Sequence, residues 1–313
     1  MMPFAEISPP TAPFWLVALI LAAVGVSLAF WAIVLMRRMH GRTALPSEAQ
    51  RSVPWQGVDL LVILAAYFAM SGVAVGVVRW SLGPERVRPM PAVNDEVHET
   101  AHVVLKALAA GGPWVVVLCV VAVVVVAPVV EEFLFRLLLQ GWLEARMERW
   151  AFHQPAVRRF LPGAAGPIFV SSLLFAAAHY RVAGPRYRTD FLVAMLLAQV
   201  VIGFLLVCFA VGWLRLRVGI SMADLGIVPD KLAGDVQLGL WSLVGLLGPV
   251  YAIQIASHLV LPEHIAPDPI PLFVLAIGLG VLFARTRRLA PCIVLHAALN
   301  AVGLGLAWAT LPG

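Results

Sequence analysis

PWVVVLCVVAVVVVAPVVEEFLFRLLLQGW, residues 113–142, is the stretch around which this chain is organised. Residues 114–130 carry no charged side chain, and an apolar run of that length reads as a membrane-spanning helix. Glu131 and Glu132 then stand side by side, Arg136 follows within another apolar run, and Gln140 precedes the charged end at Glu144. On insertion scales a carboxylate at the centre of such a helix costs about 2.5–3.5 kcal/mol. Residues four apart share a helix face, so Glu132 and Arg136 can pair. Glu131 lies about 100° away around the helix and has no partner in its own turn. A paired structural glue, or a helix end that reaches water, would explain the charges. The preferred reading is a functional site, because ionisable groups inside a membrane are functional by default.

Composition widens this reading to the whole chain. Of 313 residues, 61% are hydrophobic and 12% charged, with mean hydropathy +0.93. Soluble domains are about 45–50% apolar and about 25% charged, so the chain is a polytopic membrane protein. The net charge of +5 comes from basic residues in short inter-helix loops. It points to membrane topology and not to nucleic acid. Cys119, Cys208 and Cys292 each lie in an apolar run and read as small buried hydrophobes, without a disulfide framework. The run at 14–36 is too long for a signal-peptide core and is followed by Arg37 and Arg38, so it reads as a retained helix.

Hydrophobic length gives an all-α bundle of about eight transmembrane segments: 14–36, 58–80, 113–141, 167–180, 191–214, 236–261, 270–284 and 291–310. The loops after segments 1, 3, 5 and 7 hold 14 Lys and Arg against 7 on the opposite side. By the positive-inside rule both termini face away from the cytoplasm. The outer stretch NDEVHETAH suggests an amphipathic surface helix. Its His98 and His102, four apart, fit a solvated charged face better than a metal site. Gly72 and Gly76 form a GxxxG compatible with close helix packing.

Two later segments carry isolated polar groups. SSLLFAAAHYR places His179 four residues after Phe175, and PCIVLHAALN places His296 and Asn300 on one helix face. Taken alone, His179 could reach headgroups, and His296 and Asn300 could satisfy each other across a helix interface. The rise of an α-helix puts Glu131 about 15 Å, His179 about 18 Å and His296 about 8 Å from the inner ends of their helices. All three fall within the inner half or near the midplane. Carboxylates, imidazoles and an amide gathered there make a hydrolytic set. A carboxylate can serve as general base. Two imidazoles can hold a metal that acidifies water, and an amide can donate to an oxyanion.

EEFLFR, FAAAH and HAALN resemble the EExxxR, FxxxH and HxxxN motifs of the CPBP family, the CAAX-protease and bacteriocin-processing membrane proteins that include the type II CAAX prenyl endopeptidases. The resemblance covers roughly 113–179 and 268–303, and more loosely the first two helices. It implies an intramembrane endopeptidase acting on a membrane-associated protein or peptide, in a multi-pass protein of the bacterial inner membrane. By the same resemblance Glu131 activates water, His179 helps to hold it, Glu132 pairs with Arg136, and His296 and Asn300 complete the site and stabilise the oxyanion. The family has been described as metal-dependent and as glutamate-dependent, and zinc on His179 and His296 is the metal reading. A catalytically silent scaffold and a proton-coupled transporter are the competing functions.

The expected organisation is a two-helix region with its outer loop (1–112), a first catalytic part (113–180), an inserted helix pair (181–267) and a second catalytic part (268–313). The insertion separates FxxxH from HxxxN and is expected to pack at the periphery. It contains ADLGIVPDKLAGDVQLGLWSLVGLL, which resembles a stretch that family members often carry before EExxxR.

Overall fold

A computed structural model describes residues 14–43, 45–48, 53–88, 104, 107, 112–153, 164–180, 187–260 and 269–310. Among these residues every regular element is helical, as expected where no water is present to satisfy exposed backbone groups. We number the membrane helices α1 (Phe14–Met39), α2 (Gly57–Leu82), α3 (Pro113–Trp150), α4 (Ala165–Ala178), α5 (Thr189–Val218), α6 (Leu232–Val260), α7 (Pro269–Thr286) and α8 (Ala290–Thr310). Seven are long and apolar enough to cross a bilayer, and α4 is a shorter apolar helix. The chain is therefore a multi-pass integral membrane protein. The eight segments read from hydropathy fall on these eight helices. The histidine-bearing surface helix expected around His98 and His102 lies outside the described residues.

Helix α3 is the spine. At a rise of 1.5 Å per residue it spans about 57 Å, well beyond a hydrocarbon core of about 30 Å. Helices α4 and α8 pack against α3, and α7 lies against α4 and α8. Around this core, α5 packs on α3 while α6 packs on α7 and α8. Helices α2 and α1 then lie outermost, against α5 and α6 respectively.

That order corrects one expectation: α5 and α6, segments 5 and 6 of the sequence, are inner helices, and the first two helices hold the periphery. Gly203 of α5 shows how close the approach is. A Cβ there would come within 2.7 Å of Val126 and 3.0 Å of Val130 on α3, so α5 supports the turn directly before Glu131. Small residues permit such contacts where packing drives helix association in lipid. The GxxxG of α2 makes no such approach among the described residues, where a Cβ at Gly72 or Gly76 would meet nothing within 4 Å.

One end of the bundle is tied by charge. The connection from α1 to α2 crosses it, with the Glu48 amide donating to the Arg285 carbonyl and Lys231 pairing with Glu48 at 2.8 Å. Trp55 donates its indole N–H to the Leu138 carbonyl at 3.1 Å. Buried Asp59 accepts from Trp213 and from Arg217. The turn from α7 to α8 is held by Arg287 on Glu144 and Arg288 on Asp235. Arg287 has φ 56, uncommon for a residue with a side chain, and the ion pair accompanies that strained geometry.

Candidate active site

The site begins with the backbone of α3. Two stretches of this helix, Val121–Val126 and Glu132–Gln140, are π-helical, a form that clusters at functional sites. In the first, the Ala127 amide bonds five residues back to Ala122. The next such bond would run from residue 128 to Val123, but residue 128 is proline and has no N–H. The Val123 carbonyl is thus left without its helical donor, and Asn300 Nδ2 of α8 supplies one at 2.8 Å. Sequence chemistry on one helix thereby fixes the position of another. Asn300 keeps a second amide N–H beyond this bond.

The second π stretch carries the charges. Glu132 and Arg136 are fully buried, with Arg136 Nε 3.4 Å from Glu132 Oε2. Arg136 Nη1 donates to Ser171 Oγ of α4 at 2.9 Å, and Ser171 in turn donates to the Phe135 carbonyl at 3.0 Å. The guanidinium also lies 5.4 Å from the centre of the Phe175 ring. Glu132 Oε1 meets His296 Nδ1 of α8 at 2.9 Å. A carboxylate oxygen accepts, so His296 Nδ1 is the donor in this bond.

Phe175, wholly buried on α4, explains the spacing of FxxxH. Its carbonyl accepts from His179 Nδ1 at 2.8 Å, and a carbonyl cannot donate, so Nδ1 carries the hydrogen. Its ring packs against both imidazoles, with centroids 4.5 Å from His179 and 5.9 Å from His296. The two rings are therefore fixed in the same tautomer when neutral, each turning an Nε2 lone pair outward.

Both lone pairs face one atom. His179 Nε2 lies 3.5 Å and His296 Nε2 3.7 Å from Glu131 Oε2. With both rings neutral all three atoms are acceptors, and a shared proton or the O–H groups of a water molecule between them satisfies the arrangement. Exposure sorts the roles: the side chains of Glu131 and His179 are 21% and 22% accessible, against 3% for His296 and 0% for Glu132. The accessible pair faces whatever enters, while the buried groups orient it.

The structure thus gathers Glu131, Glu132, Arg136, His179 and His296, and places Asn300 on the α3 backbone next to them. His296 and Asn300 do not satisfy each other, since each bonds to α3. Sequence reading missed Ser171, one of two adjacent serines before Phe175 with nothing local to single it out. Among the described residues no group of three or more His, Cys, Asp or Glu side chains is disposed to hold a metal ion. His40 is exposed at the end of α1 and bonds to Met36, and His264 lies outside the described residues.

A sequence model of the family described as type II CAAX prenyl endopeptidase Rce1-like matches residues 113–223 and 236–302. No curated protein and no solved structure matches the chain significantly. The matched residues take in Glu131, Glu132, Arg136, His179, His296 and Asn300, together with most of the 181–267 stretch that lies between the motifs. With more than half of its length matched and a polytopic helical fold around these motifs, the chain belongs to the Rce1-like family of type II CAAX prenyl endopeptidases, membrane-embedded proteases of the CAAX type.

Proposed function

We propose that the chain hydrolyses a peptide bond in a membrane-associated protein or peptide with water activated by Glu131. The observation that carries this reading is the convergence of two imidazole Nε2 atoms on Glu131 Oε2. A water molecule there donates one hydrogen to the carboxylate and the other to an imidazole. As its oxygen attacks the carbonyl carbon, the proton passes to Glu131, leaving a tetrahedral intermediate with a negative oxygen. The second amide N–H of Asn300 is the donor assigned to that oxygen. Glu131 then returns the proton to the departing amine, the C–N bond breaks, and a carboxylic acid and an amine are released. Glu132 holds His296 in the tautomer this step needs, and Phe175 does the same for His179.

Glu131→Gln keeps the shape and removes the base. It is expected to lower cleavage by about 10²–10⁴-fold while the protein extracts and sediments as wild type. Near-normal cleavage by this variant would overturn the assignment. The same assay tests zinc: this mechanism expects full activity in protein stripped by chelator. About one zinc per chain, lost with activity in His179→Ala/His296→Ala, would replace it with a metal scheme. The bacterial inner membrane is the setting proposed for this reaction.

A further inference from the structure

A second site lies outside the catalytic cluster, where α3 leaves the membrane. A cavity of about 580 Å³ is lined by Gln56 and Gly57 at the start of α2 and by Trp142, Arg146 and Arg149 of α3. Spacings of four and three residues place Trp142, Arg146 and Arg149 on one face of the helix. The indole lies directly on Gly57, where a Cβ would stand 3.2 Å from the ring.

Donors from Trp142, Arg146 and Arg149 line it, beside Gln56, whose side-chain amide also carries an acceptor oxygen. Two guanidinium groups and an indole N–H face the space, and among the described residues none of them has a hydrogen-bond or ion-pair partner. No carboxylate lines it among those residues. Of the acids on the two helices, Asp59 is committed to Trp213, Arg217 and the Gln56 amide, and Glu144 to Gln140 and Arg287; exposed Glu148 does not line the space. The space is a half-open groove in which Arg146 and Arg149 are exposed. A cavity that offers guanidinium and N–H donors without counter-charge selects an anion with several acceptor oxygens.

Depth identifies the source of that anion. Trp142 lies eleven residues beyond Glu131, about three helical turns along α3. This puts it near the edge of the hydrocarbon, where tryptophan collects. Arg146 and Arg149 follow about 6 Å and 10 Å further out, at the level of lipid phosphates. By the positive-inside rule this is the cytoplasmic leaflet, where basic pockets between helices take acidic headgroups.

We infer that the cavity between the start of α2 and the end of α3 binds the phosphate headgroup of an acidic phospholipid of the cytoplasmic leaflet. Arg146 and Arg149 clamp the phosphate oxygens, and Trp142 holds the glycerol side of the headgroup at the membrane edge. Occupancy ties α2, otherwise packed on α5, to the helix that carries Glu131.

The test uses the full chain in detergent micelles doped with phosphatidylglycerol or phosphatidylcholine, with retained lipid counted by native mass spectrometry. Wild type is expected to retain phosphatidylglycerol about thirtyfold over phosphatidylcholine, since two basic residues near the surface contribute about 1 kcal/mol each. That preference should shrink between about 0.05 M and about 0.5 M salt as charges are screened. Arg146→Gln/Arg149→Gln should lose the preference. Arg146→Lys/Arg149→Lys should keep most of it, which guards against a folding failure in the first variant. Equal retention of both lipids by wild type, or an unchanged preference in the glutamine variant, would overturn the inference. Inorganic phosphate is the second arm. Thermal stabilisation by phosphate that needs both arginines, with no phosphatidylglycerol retained, would make the site one for free phosphate and refute the lipid assignment.

Discussion

Ser171 makes the clearest case at the scale of single residues. It is a small hydroxyl in an apolar helix, yet it accepts from buried Arg136 and passes a hydrogen to the Phe135 carbonyl. Ser171→Ala strands one guanidinium N–H, and a buried unsatisfied group costs about 1–3 kcal/mol. The expected result is a lower unfolding temperature in detergent with cleavage largely retained, because Glu131, His179 and His296 stay in place. Glu132→Gln should act on both properties. It leaves Arg136 buried without its counter-charge, at about 3–5 kcal/mol, and it frees His296 to change tautomer. The charged residues themselves were legible from sequence, because a carboxylate in an apolar run has no bland explanation as economical as a site. Ser171 was not legible. Its partner Arg136 is 35 positions away, and nothing local marks a serine as an acceptor.

At the scale of elements, the distinctive feature is the break in α3 and its repair by α8. Pro128 cannot serve the Val123 carbonyl, and Asn300 does so instead. Removing Asn300 should therefore cost about 1–3 kcal/mol in the native background. In a Pro128→Ala background it should cost less, since the new N–H at position 128 can take the same carbonyl. A double-mutant cycle on unfolding free energy should show a coupling of about 0.5–3 kcal/mol. Strict additivity would mean that the proline and the asparagine are unrelated. Seven spans and the short apolar α4 were legible because length and hydropathy determine a membrane span almost alone. Their packing order was not. Helices α5 and α6 carry no motif and so read as an added pair, whereas their role is contact: Gly203 lets α5 close on Val126 and Val130. Gly203→Leu should separate these helices and lower both stability and cleavage, although it touches no catalytic group.

At the scale of the whole molecule, three helices must present their groups to one point, and the charged end of the bundle sets how they are held together. Two kinds of ion pair occur there, and their burial predicts different strengths. Lys231 and Glu48 are 49% and 26% exposed; such pairs contribute about 0–1 kcal/mol, so Lys231→Ala should hardly change the unfolding temperature. Glu144 and Arg287 are 1% and 11% exposed, and they join α3 to the turn that starts α8. Glu144→Gln leaves the Arg287 charge largely buried without its acid, at a cost of about 3–5 kcal/mol. That loss should reach the site, because α8 carries His296 and α3 carries both carboxylates. Cleavage should fall with stability even though position 144 lies about 20 Å along α3 from Glu131. Glu144→Gln/Arg287→Gln removes the stranded charge and should recover much of the stability, as buried pairs do when both members become neutral. Thermal unfolding of the three variants beside wild type, with cleavage measured on the same preparations, checks the ordering. A double variant no better than Glu144→Gln would show that the pair is needed for its geometry, and equal effects from Lys231→Ala and Glu144→Gln would remove burial as the deciding variable.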